Sequence, residues 1–209
     1  MGNPLSIPGD LIVPGTLRLS GSISPTLAKS SVLAIAEEQP WVVPWTLWRV
    51  HDALHTNLPG TAATDDLALG GGTFGAASPC IQGLDCGGLT TTAYARAQIP
   101  LPWDYVAGQT VKLRFHAGML TAIADDYAKL DVLCYETDEE VGIGADICAT
   151  TVQDINSLVL ADIDFTITAT SLVAGDLLDV LIVVTAHDVN NLDVMIPVIG
   201  SVKLLYDAR

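Results

Sequence analysis

The chain has 209 residues, half of them hydrophobic, with 24 Asp and Glu against 9 Lys and Arg, a formal net charge of −15. Clustered Lys and Arg displace counterions from phosphates and attract anionic lipid, so this balance argues against nucleic acid and membrane surfaces as partners. Charged residues make up 16% of the chain against ~25% in an average soluble domain, which predicts a chain that buries a large core or assembles. No apolar run reaches the ~18 residues of a membrane-spanning helix, and the greasiest stretch, Leu177 to Ala186, is interrupted by Asp179. The N-terminus lacks the basic and apolar regions of a secretory signal. The length fits one large domain, or one domain with an appendage.

In chain order, the first element is an arm over residues 1–38. Leu11, Val13, Leu17, Leu19 and Ile23 are apolar and Gly9, Gly15 and Gly21 recur every six residues. Short extended pieces between glycines make no helix, and one such piece cannot bury its own apolar face, so the arm is expected to pair outside its own domain. Residues 39–209 are expected to form the globular part. Its first stretch, Trp41 to Val50, gathers three of the four tryptophans into a strand-like run. Its simplest role is a core strand; Trp is also enriched at interface hot spots, so Trp41, Trp45 and Trp48 join the five arm residues as candidate assembly contacts.

A Gly/Thr-rich loop follows at about 57–92, with Gly70-Gly71-Gly72 near its centre. Beyond it, alternation of apolar and polar residues predicts strands at Val111–Ala117, Ala128–Val132, Ile163–Thr168 and Val202–Asp207. Leu178 to Val184 is apolar on both faces apart from Asp179, as in a central strand. Val106-Ala107-Gly108 and Val173-Ala174-Gly175 each precede a long strand and predict two equivalent strand starts at one end of a sandwich. Short strands punctuated by Gly, Asp and Asn define the expected fold class: all-β, an antiparallel β-sandwich or jelly roll with an extended N-terminal arm.

Gly9-Asp10-Leu11-Ile12-Val13-Pro14-Gly15-Thr16-Leu17-Arg18-Leu19-Ser20-Gly21-Ser22-Ile23-Ser24 resembles the "G-D-L-x-V-x-G-T-L-x-x-x-G-S-I" segments of tailed-phage fibre and head-decoration proteins. The resemblance implies a virion structural protein of the capsid decoration (cement) or short head-fibre type. Its arm would attach or trimerise, its sandwich would form the exposed head, and its partners would be itself, as a homotrimer, and the major capsid protein or another virion protein. It would be made in the host cytoplasm and end on the capsid surface. The alternative is a receptor- or carbohydrate-binding head of a fibre or tail tip, with a shallow aromatic site drawn from Trp103, Tyr105 or Tyr127.

Candidate chemistry is sparse. His51 and His55 stand four apart, a spacing that joins two zinc ligands on a helix. The glutamate of H-E-x-x-H is missing and Asn57-Leu58-Pro59-Gly60 leaves little room for a helix, so loop histidines are expected. Asp65-Asp66, Asp125-Asp126 and Glu136 to Glu140 lack the spacing of a calcium loop and read as solvated turns. Neither a nucleophile elbow nor a phosphate loop is present. The expectation is therefore no enzyme, no cofactor and no metal. Cys80 and Cys86 flank a short loop and are free to pair or to remain thiols; Cys134, in an alternating run, reads as a small buried hydrophobe.

Overall fold

The computed structural model describes residues 37–137, 144–189 and 193–208. Twelve strands run through them: β1 Glu37–Val42, β2 Arg49–Val50, β3 Ala53–Asn57, β4 Ala68–Gly70, β5 Cys80–Gln82, β6 Thr90–Pro100, β7 Val111–Met119, β8 Tyr127–Thr137, β9 Gln153–Asp154, β10 Ala161–Ile167, β11 Leu177–His187 and β12 Pro197–Ala208. They form two six-stranded sheets. The first has the order β10-β7-β12-β5-β4 with β1 also on β12, and the second β3-β2-β6-β11-β8-β9.

The antiparallel pairs are nested: β8 with β9, β7 with β10, β6 with β11, and β5 with β12. A ribbon paired in this way and rolled up puts alternate strands in opposite sheets, which is the jelly roll. The expected all-β antiparallel sandwich of the jelly-roll kind is thus observed; of the expected arm, residues 1–36 lie outside the described residues and residues 37–38 belong to β1. β1 pairs with residues 203–208 of β12, and β5 with residues 198–199 of the same strand. The register of β12 against β7 shifts between Ile199 and Ser201, at Gly200.

Alternation places the core. In the first sheet Leu113 and Phe115 of β7, Phe165 of β10 and Leu204 of β12 point inward, fully buried. Phe115 and Phe165 meet edge to face, with centroids 5.6 Å apart at 89°. The second sheet presents smaller groups, Ala93, Ala95 and Ala97 from β6 and Ala128 and Cys134 from β8, beside Leu130, Val180 and Ile182. Large residues on one sheet opposite small ones on the other are what a close-packed core requires.

Four predicted strands lie within β7, β8, β10 and β12, and Leu178 to Val184 lies in β11, central between β6 and β8. Two features differ from expectation. The region at about 57–92 holds β4, β5 and the first residues of β6. The Trp41–Val50 run is not one strand: β1 stops at Val42, residues Trp45–Leu47 form a 3-10 turn, and β2 begins at Arg49. Pro44 has no N–H to offer a ladder, and its carbonyl accepts from Leu47 N at 3.0 Å.

Candidate functional site

The two ends of the roll are built differently. At one end, the β6–β7 and β10–β11 connections lie side by side. Leu101 N donates to Asp176 O at 2.7 Å, Gly175 N to Leu101 O at 3.1 Å and Gly108 N to Leu172 O at 3.3 Å. Gly108 and Gly175 both have positive φ, +73° and +93°, so the two Ala-Gly turns predicted at one end of the sandwich do face each other. Trp103 lies across Gly175, where an added Cβ would come within 2.8 Å of its ring, yet Trp103 is 87% exposed. Tyr105 beneath it is buried and donates its hydroxyl to Gln109 O at 2.8 Å. Burial pushes the Tyr105 hydroxyl pKa up, with Asp207 and Asp176 adding to the effect. Tyr206 donates to Asp104 Oδ1 at 3.2 Å. The outcome is an exposed indole on an acidic rim.

Tyr127 cannot share that surface. It pairs with His187, at the opposite end of β11 from Leu177, and ten residues of strand separate the two by about 33 Å. Of the expected aromatic trio, Trp103 alone is both exposed and at this end.

At the other end a buried carboxylate ties loops together. Asp188, fully buried, accepts from Asp125 N at 2.9 Å and Gly88 N at 3.2 Å. Asp85 Oδ1 accepts from Gly87 N and from Met195 N. Carboxylates that accept backbone N–H groups order otherwise irregular connections. Cys86, buried in the same place, has its thiol pKa raised by burial and by Asp188 and Asp85. Cys80 and Cys86 are both free thiols, as are Cys134 and Cys148. Burial raises the Cys134 thiol pKa strongly, in keeping with its reading as a small core residue.

The candidate assembly contacts divide. Leu11, Val13, Leu17, Leu19 and Ile23 lie outside the described residues. Trp41 and Trp45 are half-buried, packed in part against the core. Trp48 is 1% exposed; the 3-10 turn swings it inward, so it belongs to the core and is not an assembly contact. An apolar group that the sequence reading missed is Phe74, fully exposed on the loop between β4 and β5. That loop leaves β4 through Gly71, at φ +69°, where a Cβ would stand 2.2 Å from Ser78 O.

On the outer face of the first sheet, the basic side chains of β7 meet acids. Lys112 Nζ is 2.9 Å from Glu38 Oε2, Arg114 forks onto Asp164 at 2.6 and 2.7 Å, and His116 Nδ1 is 2.8 Å from Asp162 Oδ1. On the second sheet Arg96 forks onto Asp179, whose side chain is 4% exposed. The histidine pair is not a joint site: His55 is exposed on β3, whereas His51 sits at the β2–β3 turn among Asp52, Asp65 and Asp66. Compared with known proteins, the chain matches no family model and no curated sequence.

Proposed function

We propose that this chain is a virion structural protein of a tailed phage, a capsid decoration (cement) or short head-fibre protein that covers or stabilises the shell. The observation that carries the reading is the nested jelly roll, an architecture used by viral coat domains, in a chain whose N-terminal segment resembles the arms of head-decoration proteins. The same roll also serves lectins and cupins; the sequence of the arm directs the reading to the virion. Composition supports it: most apolar residues of the strands face the interior, and the acidic excess leaves a soluble outer face. Among the described residues Lys112, Arg114 and Arg96 are already paired with carboxylates, which reduces the cations open to phosphate, in line with a partner that is protein.

In this reading the arm, through Leu11, Val13, Leu17, Leu19 and Ile23, and the half-buried Trp41 and Trp45 bury area between three copies and against the major capsid protein or another virion protein. An interface of ~1,000 Å² or more is needed for such a contact to be specific. The test is the solution mass of the full chain by light scattering. Three times the chain mass of 21.9 kDa is expected, falling to one chain mass in the double variant Leu11→Asp, Leu17→Asp. A monomeric parent chain, or a variant that remains trimeric, contradicts the proposed role of the arm.

The exposed Trp103 favours a second reading, a receptor- or glycan-binding head, because an indole on an acidic rim is a surface on which sugar rings stack. A glycan array probed with the full chain and with Trp103→Ala separates the two: hits lost in the variant support the binding head, and no hits support decoration.

A further inference from the structure

One group of polar side chains is held together without satisfying itself. His51 and Asp52 form the turn between β2 and β3, and Asp65 and Asp66 come from the connection leading to β4. Both segments are fixed on β6. Arg49 pairs with Arg96, while Tyr94 N donates to Asp65 O at 2.7 Å and Leu67 N to Tyr94 O at 2.9 Å. The His51 ring lies against the Tyr94 ring, centroids 4.8 Å apart, so packing sets its orientation.

The consequence is an unpaired donor set. His51 Nδ1 stands 3.5 Å from Asp66 Oδ1, and both atoms are buried with no hydrogen-bond partner. Asp52 completes a trio whose ligand atoms, one each from His51, Asp52 and Asp66, lie within 4.8 Å of one another. Buried polar atoms left unpaired are costly and call for an explanation. A cation between them would supply one.

We propose that His51, Asp52 and Asp66 bind a divalent transition-metal ion of the zinc class. Zinc bonds to imidazole nitrogen and carboxylate oxygen at about 2.0–2.2 Å, and the corners of such a tetrahedron stand roughly 3.4 Å apart. The observed 3.5 Å between Nδ1 and Oδ1 is already that edge. Asp52, on an exposed turn, closes the remaining distance by side-chain rotation. An imidazole among the ligands disfavours calcium and magnesium, which take oxygen, and the lack of thiolate disfavours copper(I). Asp65 Oδ2, 3.8 Å from His51 Nε2, is too far for a hydrogen bond as it stands; a side-chain rotation would bring it to the second ring nitrogen, where metal-bound imidazoles characteristically have a carboxylate. Two carboxylates and a neutral imidazole balance the charge of the ion, and the fourth position stays open to water or to a group from a neighbouring molecule. The ion would clip the β2–β3 turn to the 65–66 segment along the edge of the second sheet.

The experiment is calorimetric titration of the full chain, freed of metal by chelator, with zinc chloride and separately with calcium chloride. The parent chain is expected to take up one equivalent of zinc with saturation in the micromolar range, to melt at a higher temperature with zinc, as a ligand specific for the folded state requires, and to respond little to calcium. His51→Ala and Asp66→Asn should each weaken zinc binding at least tenfold. Far-UV circular dichroism and metal-free melting close to the parent's would show that both variants fold; His51→Asn serves if His51→Ala does not. His55→Ala and Cys80→Ser should bind as the parent does. The proposal is overturned by the absence of a one-equivalent zinc isotherm, by undiminished binding in folded His51 and Asp66 variants, or by loss of binding in His55→Ala or Cys80→Ser.

Discussion

Individual side chains carry separable energies. Trp48 fills the core where the 3-10 turn delivers it, and its indole nitrogen is buried without a hydrogen-bond partner. Trp48→Ala should cost about 3–5 kcal/mol, as large-to-small changes of buried aromatics do. Trp48→Phe should cost clearly less, because it keeps most of the ring and removes the unsatisfied donor; urea unfolding of the three proteins gives the comparison. Arg96→Leu should destabilise by about 3 kcal/mol in the same assay, because it leaves the Asp179 carboxylate desolvated and unpaired. The Arg114 guanidinium holds the Asp164 carboxyl below its ordinary pKa. A group depressed by folding stabilises the protein above its unfolded pKa, ~3.9 for Asp. The urea midpoint of the parent should therefore exceed that of Asp164→Asn at pH 7, and the gap should narrow as the pH falls below about 4.

At the scale of elements, legibility in the sequence followed the size of the inward residues. β7, β8, β10 and β12 alternate large apolar with polar groups and are readable as strands. β6 is as long as β8 but presents Ala93, Ala95 and Ala97 inward, and alanine has neither the hydrophobic contrast nor the β-preference to announce a strand. β4 and β5 are each three residues long and hidden among glycines, too short for a period to show. The tryptophan run looked continuous because proline's effect on the ladder is a backbone matter that hydropathy does not register. Nested pairing also ranks the elements by stability. Amides of β11, paired along its whole length with β6 and β8, should exchange with deuterium most slowly, and those of β3 and β9 at the edges most quickly. Comparable rates for β11 and β9 would contradict the assigned strand order.

For the whole molecule, charge and topology answer different questions. The excess of acid was legible at once, and the structure gives it places: loop anchors such as Asp188 and Asp85, partners for the cations of β7, and the rim around Trp103. The neighbourhood of His51 was not legible, because Asp65 and Asp66 reach it through their shared docking on β6 and no local motif spans that distance. The core role read first for the tryptophan run holds for Trp48, which leaves the half-buried Trp41 and Trp45 as candidates for contact. The proposed role makes the roll a head that presents an acidic surface, with assembly delegated to apolar residues of the arm and to these two tryptophans. Electron microscopy of purified phage particles that encode this chain, labelled with an antibody against it, tests that role most directly. Label distributed over the capsid shell is the predicted result; particles without label, or with label confined to the tail tip, would contradict it.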